Sequence, residues 1–131
     1  MGVVYAAVDA RDGAPVALKI LRSAPGHAGA SVARFAVEAE VLASLDHPGI
    51  VRHVAHGTTP DGAPFLAMEW LEGEDLAQRL AREALTPREG AVLARRVAEA
   101  LAAAHARGVV HRDIKPSNLF LPGGDVDRVK I

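Results

Sequence analysis

The sequence predicts an α+β fold in which an antiparallel sheet precedes a group of helices. The first half holds short β-branched and apolar runs separated by turns, whereas the second half holds a long segment whose apolar residues repeat every four positions. The turns at 11–13 and 60–62 each join two strands into a hairpin, and a helix over 31–45 lies between the hairpins. The four predicted strands cover residues 3–8, 15–21, 50–55 and 65–68.

Helical patterns dominate after residue 73. Residues 75–82 favour a short helix. A longer helix is predicted from the N-cap Thr86, which is followed by proline at N1 and glutamate at N3, to a left-handed stop at Gly108. We expect His105 on the buried face of this helix as a core histidine. Apolar residues at a spacing of four mark that face: Leu93, Val97 and Leu101.

Composition limits the classes of function that the chain can have. Of its 131 residues 50% are apolar and 24% charged, which suits a globular core, and the 4% of aromatic residues beside abundant alanine and arginine suggests a GC-rich bacterial genome. The 15 basic and 16 acidic residues nearly cancel, so no nucleic-acid partner is predicted. The chain has no cysteine, which fits the cytoplasm, and no run of the ~20 apolar residues that a membrane segment requires.

The loop that follows the long helix reads His-Arg-Asp-Ile-Lys-Pro-Ser-Asn, from His111 to Asn118. Phosphoryl transfer uses this combination of groups, because an aspartate can orient the attacking hydroxyl and accept its proton, a lysine can steady phosphate charge, and an amide oxygen can bind Mg²⁺. Any one of these residues alone is more typical of a solvated loop. The eight together favour a catalytic loop.

This octet resembles the catalytic loop of eukaryotic-type protein kinases, and its lysine two residues after the aspartate resembles the serine/threonine-specific version. The resemblance implies that Asp113 is the catalytic base, Lys115 a phosphate contact and Asn118 a magnesium ligand. It implies that His111 and Arg112 support the loop.

A second resemblance lies in Val16-Ala17-Leu18-Lys19, which is similar to the Val-Ala-Ile-Lys of the kinase family. Alternate residues of a strand share a face, so Ala17 leaves room for a flat base while the Lys19 ammonium reaches phosphate oxygens. An exposed lysine beside a small core alanine is the alternative for this segment taken alone.

The helix over 31–45 offers Lys19 a carboxylate partner. Glu38 lies within about 60° of the apolar stripe of this helix, whereas Glu40 lies on the far side. A carboxylate on a buried face requires a cation, so we predict a Lys19–Glu38 pair similar to that of an active kinase. A different helix phase, with both glutamates in solvent, is the alternative. The stripe consists of Phe35, Val41, Leu42 and Leu45.

Residues 1–5 resemble the end of the kinase glycine-rich loop. By this resemblance Gly2 is the third glycine of the loop, and the Val4 side chain covers the adenine ring. The backbone amides of such a loop bind the phosphates of the nucleotide.

Residues 68–73 resemble the hinge between the two kinase lobes, with Met68 as the gatekeeper. The resemblance implies that backbone groups of Glu69 and Leu71 bind adenine. Asp75 either lies near the ribose or caps the following helix, and the sequence leaves both interpretations open.

Taken along the whole chain, the resemblance implies a two-lobed protein-kinase-like fold that is incomplete at both ends. Residues 1–70 form the N-lobe, with a five-stranded antiparallel sheet and one helix, and 71–131 form the start of the helical C-lobe through the catalytic loop.

The implied activity of the parent domain is transfer of the ATP γ-phosphate to serine or threonine of protein substrates with Mg²⁺. Lacking the Asp-Phe-Gly motif and activation loop, the chain alone is expected to be inactive. The alternative function is a pseudokinase-like nucleotide-binding or regulatory module without catalysis.

His53 and His56 suggest a metal site, but residues three apart on a regular strand point to opposite faces of the sheet. No third ligand is evident in the sequence. We therefore predict no metal site at these two histidines.

Overall fold

The computed structural model describes residues 2–21, 35, 37 and 39–131, which divide into two compact units. Unit 1 contains Met1–Ser44 and Arg52–Trp70, and unit 2 contains Leu45–Val51 and Leu71–Ile131. Among the described helices, none is both long enough and apolar enough to cross a membrane.

Unit 1 is built on an antiparallel sheet with the strand order β1-β2-β4-β3. Left-handed glycines close both hairpins, Gly13 with φ 74° and Gly62 with φ 82°. The described part of this sheet has four strands, one fewer than the family resemblance implies. Residues 1–70 contain four strand-like runs in the sequence, and the fifth strand of the prediction came from the resemblance. The strands are β1 Gly2–Val8, β2 Pro15–Leu21, β3 His53–Thr58 and β4 Pro64–Glu69.

Strand β3 begins three residues later than the predicted start at Ile50. The Ile50 N–H donates to the carbonyl of His47, and the Val51 N–H donates to the carbonyl of Ile131. These bonds use the backbone groups that a longer strand would pair with β4, so the 45–51 segment joins unit 2.

A β-bulge in β3 changes the direction of its histidines. His53 lies opposite Met68 and His56 lies opposite Leu66, and the register shifts between His53 and Ala55. The extra residue turns both imidazoles to one face, where His53 Nε2 and His56 Nδ1 are 3.0 Å apart. The prediction of opposite faces was therefore wrong. Burial, followed by the neighbouring His56, lowers the pKa of His53.

Residues 35, 37 and 39–43 are helical, in agreement with the predicted helix. Ala39 is buried and Glu40 is exposed. Leu42, which was placed on the buried stripe, is 37% exposed. The prediction that Leu42 is buried was therefore wrong. Glu38, and with it the predicted pair with Lys19, lies outside the described residues.

Unit 2 contains two helices and a two-stranded antiparallel sheet, β5 with β6. Its core is a cluster of buried apolar side chains, in which Leu121 is fully buried and Val129 nearly so. The other members of this core are Leu76, Leu93, Val97, Leu119 and Val126. In chain order the elements are β5 Gly73–Asp75, α1 Leu76–Arg82, α2 Pro87–His105, a 3-10 turn Pro116–Asn118, β6 Phe120–Pro122 and a 3-10 turn Val126–Arg128.

Helix α2 begins as predicted, because the Thr86 side chain accepts from the Glu89 N–H while the Glu89 carboxylate accepts from the Thr86 N–H. His105 is exposed rather than buried. The buried positions of α2 end at Ala104, and the next residue lies about 100° around the helix from it. That rotation turns His105 to solvent.

Arg79 is the one buried charged residue in the described part of the chain. Its guanidinium donates 2.7 Å to the carbonyl of Glu83 and lies 3.4 Å from the carboxylate of Glu89. The Arg79 side chain therefore supplies a hydrogen-bond donor to a backbone carbonyl at the C-terminal end of α1. It also forms an ion pair with a residue in the first turn of α2.

Candidate active site

The loop 111–118 is anchored in unit 2 at both ends. Helix α2 precedes it, and Leu119, which follows it, is buried in the core and accepts a hydrogen bond from the Leu76 N–H. The loop itself is largely exposed. The fold therefore presents polar side chains to solvent from a fixed backbone.

The three side chains predicted to act in catalysis meet at one carboxylate. Lys115 Nζ lies 2.8 Å from Asp113 Oδ2, and Asn118 Nδ2 donates 2.8 Å to the same oxygen. Asn118 Nδ2 also donates 2.8 Å to the Asp113 backbone carbonyl. One carboxylate oxygen is thus held by two donors, which fixes the direction of the other oxygen.

These contacts determine the protonation of Asp113. The hydrogen bond from Lys115, and then that from Asn118, lowers the pKa of the Asp113 carboxyl below its ordinary value of 3.8. The carboxyl is therefore ionised near neutral pH. Because the folded-state pKa lies below the unfolded value, this interaction stabilises the fold above about pH 4 and is lost as the pH falls through the folded value.

We expect Lys115→Ala to raise the pKa of Asp113 toward its ordinary value, because the largest cause of the shift is removed and the Asn118 contact remains. A carboxylate-detected NMR titration from pH 7 to pH 2 measures this change. Asp9 is the internal control, because its pKa of about 2 is set by Arg11 and should not move. An Asp113 titration identical in both proteins would show that Lys115 does not control this carboxyl.

His111 and Arg112 shape the backbone next to Asp113. The Asp113 N–H lies 3.3 Å from His111 Nδ1, which accepts from it. Arg112 has φ 63°, and it is the one non-glycine residue of the described chain with a positive φ. This conformation costs an L-residue roughly 1–2 kcal/mol, and such costs cluster at functional loops.

Four of the predicted nucleotide-binding residues share one face of the unit 1 sheet. Val4 and Leu66 lie opposite Lys19 on its two neighbouring strands, and Met68 lies opposite Ala17. Directly paired residues point to the same face, and alternate residues of a strand do so as well. Val4, Ala17, Lys19 and Met68 are therefore on the same side of the sheet.

Gly2, Glu69 and Leu71 were predicted to contact the nucleotide through their backbone groups. Gly2 is the first residue of β1 and pairs with Leu21. The Glu69 N–H donates to the carbonyl of Arg52, so this N–H is already used within unit 1. Leu71 is partly buried in unit 2.

Asp75 caps helix α1, which is one of the two interpretations that the sequence left open. Its Oδ1 accepts 2.8 Å from the Gln78 N–H, and the Gln78 side chain accepts from the Asp75 N–H. The capping box explains an aspartate at this position without any ligand.

The oxygen atoms of the 111–118 loop suit Mg²⁺, which takes few protein ligands and completes its shell with phosphate oxygens and water. Asn118 directs its amide nitrogen to Asp113, so the amide oxygen is the group that can bind a cation. In the described chain no group of three or more His, Cys, Asp or Glu side chains could hold a metal ion by itself.

A cavity of about 380 Å³ lies elsewhere in unit 2. None of the predicted site residues lines it, and paired charges, Arg96 with Glu99 and Asp127, form part of its wall. None of residues 111–118 lines the cavity.

The match to known proteins agrees with the fold and the loop. The family model for the protein kinase domain matches residues 1–131. This chain belongs to the protein kinase domain family, and its relatives include bacterial serine/threonine kinases. It is 41% identical over 122 residues to the serine/threonine-protein kinase pkn2 of Myxococcus xanthus, with 92% of this chain and 14% of that protein covered. It is 38% identical over 132 residues to PknA of Mycobacterium tuberculosis, covering 96% of this chain and 31% of that protein.

Solved structures extend the match to three dimensions. The PknI kinase domain of Mycobacterium tuberculosis superimposes with a TM-score of 0.79 at 36% identity, over 100% of this chain and 53% of that one. Rad53 in complex with AMP-PNP superimposes with a TM-score of 0.83 at 30% identity, over 99% of this chain and 33% of that one. The chain therefore has a kinase-like fold and spans about half the length of the PknI kinase domain.

Proposed function

We propose that the protein containing this chain transfers the γ-phosphate of ATP to serine or threonine side chains of protein substrates, with Mg²⁺ as cofactor. The proposal rests on one observation: Lys115 and Asn118 both donate a hydrogen bond to the Asp113 carboxylate. A solvated loop does not require two such donors on one carboxylate oxygen. The family relationship supplies the reaction class.

Asp113 acts on the acceptor hydroxyl. Lys115 and Asn118 occupy Asp113 Oδ2 and leave Oδ1 to accept a hydrogen bond from a serine or threonine hydroxyl, which orients its oxygen toward the phosphorus. As the bond from this oxygen to the γ-phosphorus forms, the bond from the γ-phosphorus to the bridging oxygen of ATP breaks and ADP leaves, while the hydroxyl proton passes to the carboxylate.

Lys115 and Asn118 have a second role at the transferring phosphate. The Lys115 side chain is flexible and exposed, so its ammonium can move from Asp113 to a phosphate oxygen as negative charge develops there. The Asn118 amide oxygen would hold Mg²⁺, which when bound neutralises charge on the phosphate oxygens.

The sheet face defined by Lys19 is the proposed nucleotide surface of unit 1. Ala17 is small and Met68 is apolar, which suits the flat face of adenine, and the partly buried Lys19 ammonium suits phosphate oxygens. The similar structure of Rad53 holds AMP-PNP, an ATP analogue, which supports this assignment.

The test is a phosphotransfer assay on the natural protein that contains this chain, with γ-³²P-labelled ATP, Mg²⁺ and a mixed protein substrate. We expect label on phosphoserine and phosphothreonine, and none when Mg²⁺ is chelated by EDTA. Nucleotide binding without transfer would support the regulatory module instead. Label on a small molecule but on no protein would overturn the proposed substrate class.

A further inference from the structure

We propose that His53 and His56 form a two-imidazole binding site for a divalent transition-metal ion, with Cu²⁺ bound most tightly and Ni²⁺ and Zn²⁺ more weakly. The site belongs to unit 1, and it does not depend on the proposed kinase activity. Its basis is the β-bulge that turns two histidines three residues apart onto one side of β3.

The spacing of the two ring nitrogens matches a shared metal ion. His53 Nε2 and His56 Nδ1 are 3.0 Å apart. Two nitrogens that each lie about 2.0 Å from one ion are about 2.8 Å apart at the 90° angle of square-planar Cu²⁺ and about 3.3 Å apart at a tetrahedral ion. The observed spacing lies between these values, so a rotation of the rings that points both lone pairs at one ion converts the hydrogen-bonded pair into a chelating pair.

The hydrogen bond between the rings is chemically replaceable. Two neutral imidazoles carry one N–H each, and one of these protons now lies between Nε2 and Nδ1. Moving that proton to the other nitrogen of the same ring leaves both facing nitrogens with lone pairs for the metal. No net proton is released and no bond other than this N–H is broken.

The surroundings indicate which ion binds and how strongly. Both rings are only partly buried, and β3 is an edge strand of the described sheet, so water can complete the coordination shell. No third His, Cys, Asp or Glu of the described chain joins the pair. Two imidazoles favour Cu²⁺ over Ni²⁺ and Zn²⁺, and they do not suit Mg²⁺, which prefers oxygen ligands.

Calorimetric titration of the whole chain with Cu²⁺ tests the site, using His53→Gln and His56→Gln against the control His105→Gln. Loss of an outer-shell partner of a metal typically costs about 10–100-fold in affinity, so loss of a ligand should cost at least ~10-fold. The control replaces an exposed histidine of unit 2 and should bind as the unchanged chain does. Millimolar Mg²⁺ should not compete, which separates this site from the proposed catalytic magnesium.

A measurement on the unchanged chain avoids any loss of folding in the variants. Substoichiometric Cu²⁺ should broaden the imidazole NMR signals of His53 and His56 before those of the other histidines, and the EPR spectrum should show coupling to two nitrogens. Equal Cu²⁺ affinity in all folded variants, or broadening that begins at other histidines, would overturn the proposal.

Discussion

Asp113→Asn is expected to lower kcat for phosphoryl transfer by about 10²–10⁴-fold, the usual contribution of a positioned general base. The asparagine side chain keeps one oxygen that can accept from Lys115 and Asn118, so the loop geometry survives. An amide does not accept the hydroxyl proton, however, and it carries no charge to orient the hydroxyl. The loss should therefore fall on kcat, with little change in the KM for ATP.

The measurement is steady-state transfer of labelled phosphate by the natural protein, with Asp61→Asn as the matched control. Asp61 lies in the turn between β3 and β4 and is exposed. The control should keep its rate, and both variants should remain folded at the assay temperature. If Asp113→Asn transfers phosphate at nearly the original rate, then Asp113 is not the base and another group must take the proton.

The sequence best predicted the features that depend on interactions between residues close together in the chain, such as helix starts and tight turns. The start of α2 follows from a hydroxyl, a proline and a glutamate within four residues, and each of them acts on backbone groups of the same turn. The hairpin turns likewise depend on Gly13 and Gly62, which adopt left-handed conformations at little cost.

The sequence predicted less well where distant segments compete for the same backbone. Ile50 looks like part of a strand, but its segment packs on α2, where a Cβ added to Gly49 would lie 3.0 Å from the Cβ of Ala100. The bulge in β3 likewise depends on pairing with β4. Simple alternation in β3 therefore gave the wrong face for one of its histidines.

In the candidate site, too, the sequence predicts the residue types but not their spatial arrangement. Residue types and order predict Asp113, Lys115 and Asn118 as site residues, because all three belong to one sequence motif. The sharing of a single carboxylate oxygen by Lys115 and Asn118 depends on the conformation of the whole loop, including the left-handed Arg112. No pattern of residue types specifies that geometry.

Gly73→Ala is expected to destabilise unit 2 by about 2–5 kcal/mol, through backbone strain and overpacking together. Gly73 has φ 148°, a value that L-residues rarely adopt. A Cβ at this position would lie 2.1 Å from the carbonyl oxygen of Leu121 and 2.9 Å from the amide nitrogen of Gly123. Both contacts are with backbone, so relief requires a shift of β6, which carries the fully buried Leu121 into the core.

The free energy of unfolding from urea denaturation measures this effect, and Gly90→Ala is the matched control. Gly90 lies inside α2, and an added Cβ there meets no atom within 4 Å. Because alanine is the better helix former, the control should be more stable than the unchanged chain by about 0.5–1 kcal/mol. The same substitution thus has opposite signs at two glycines of one unit. Equal stability of Gly73→Ala and the unchanged chain would mean that β5 and β6 do not approach as closely as the register of Gly73 with Pro122 requires.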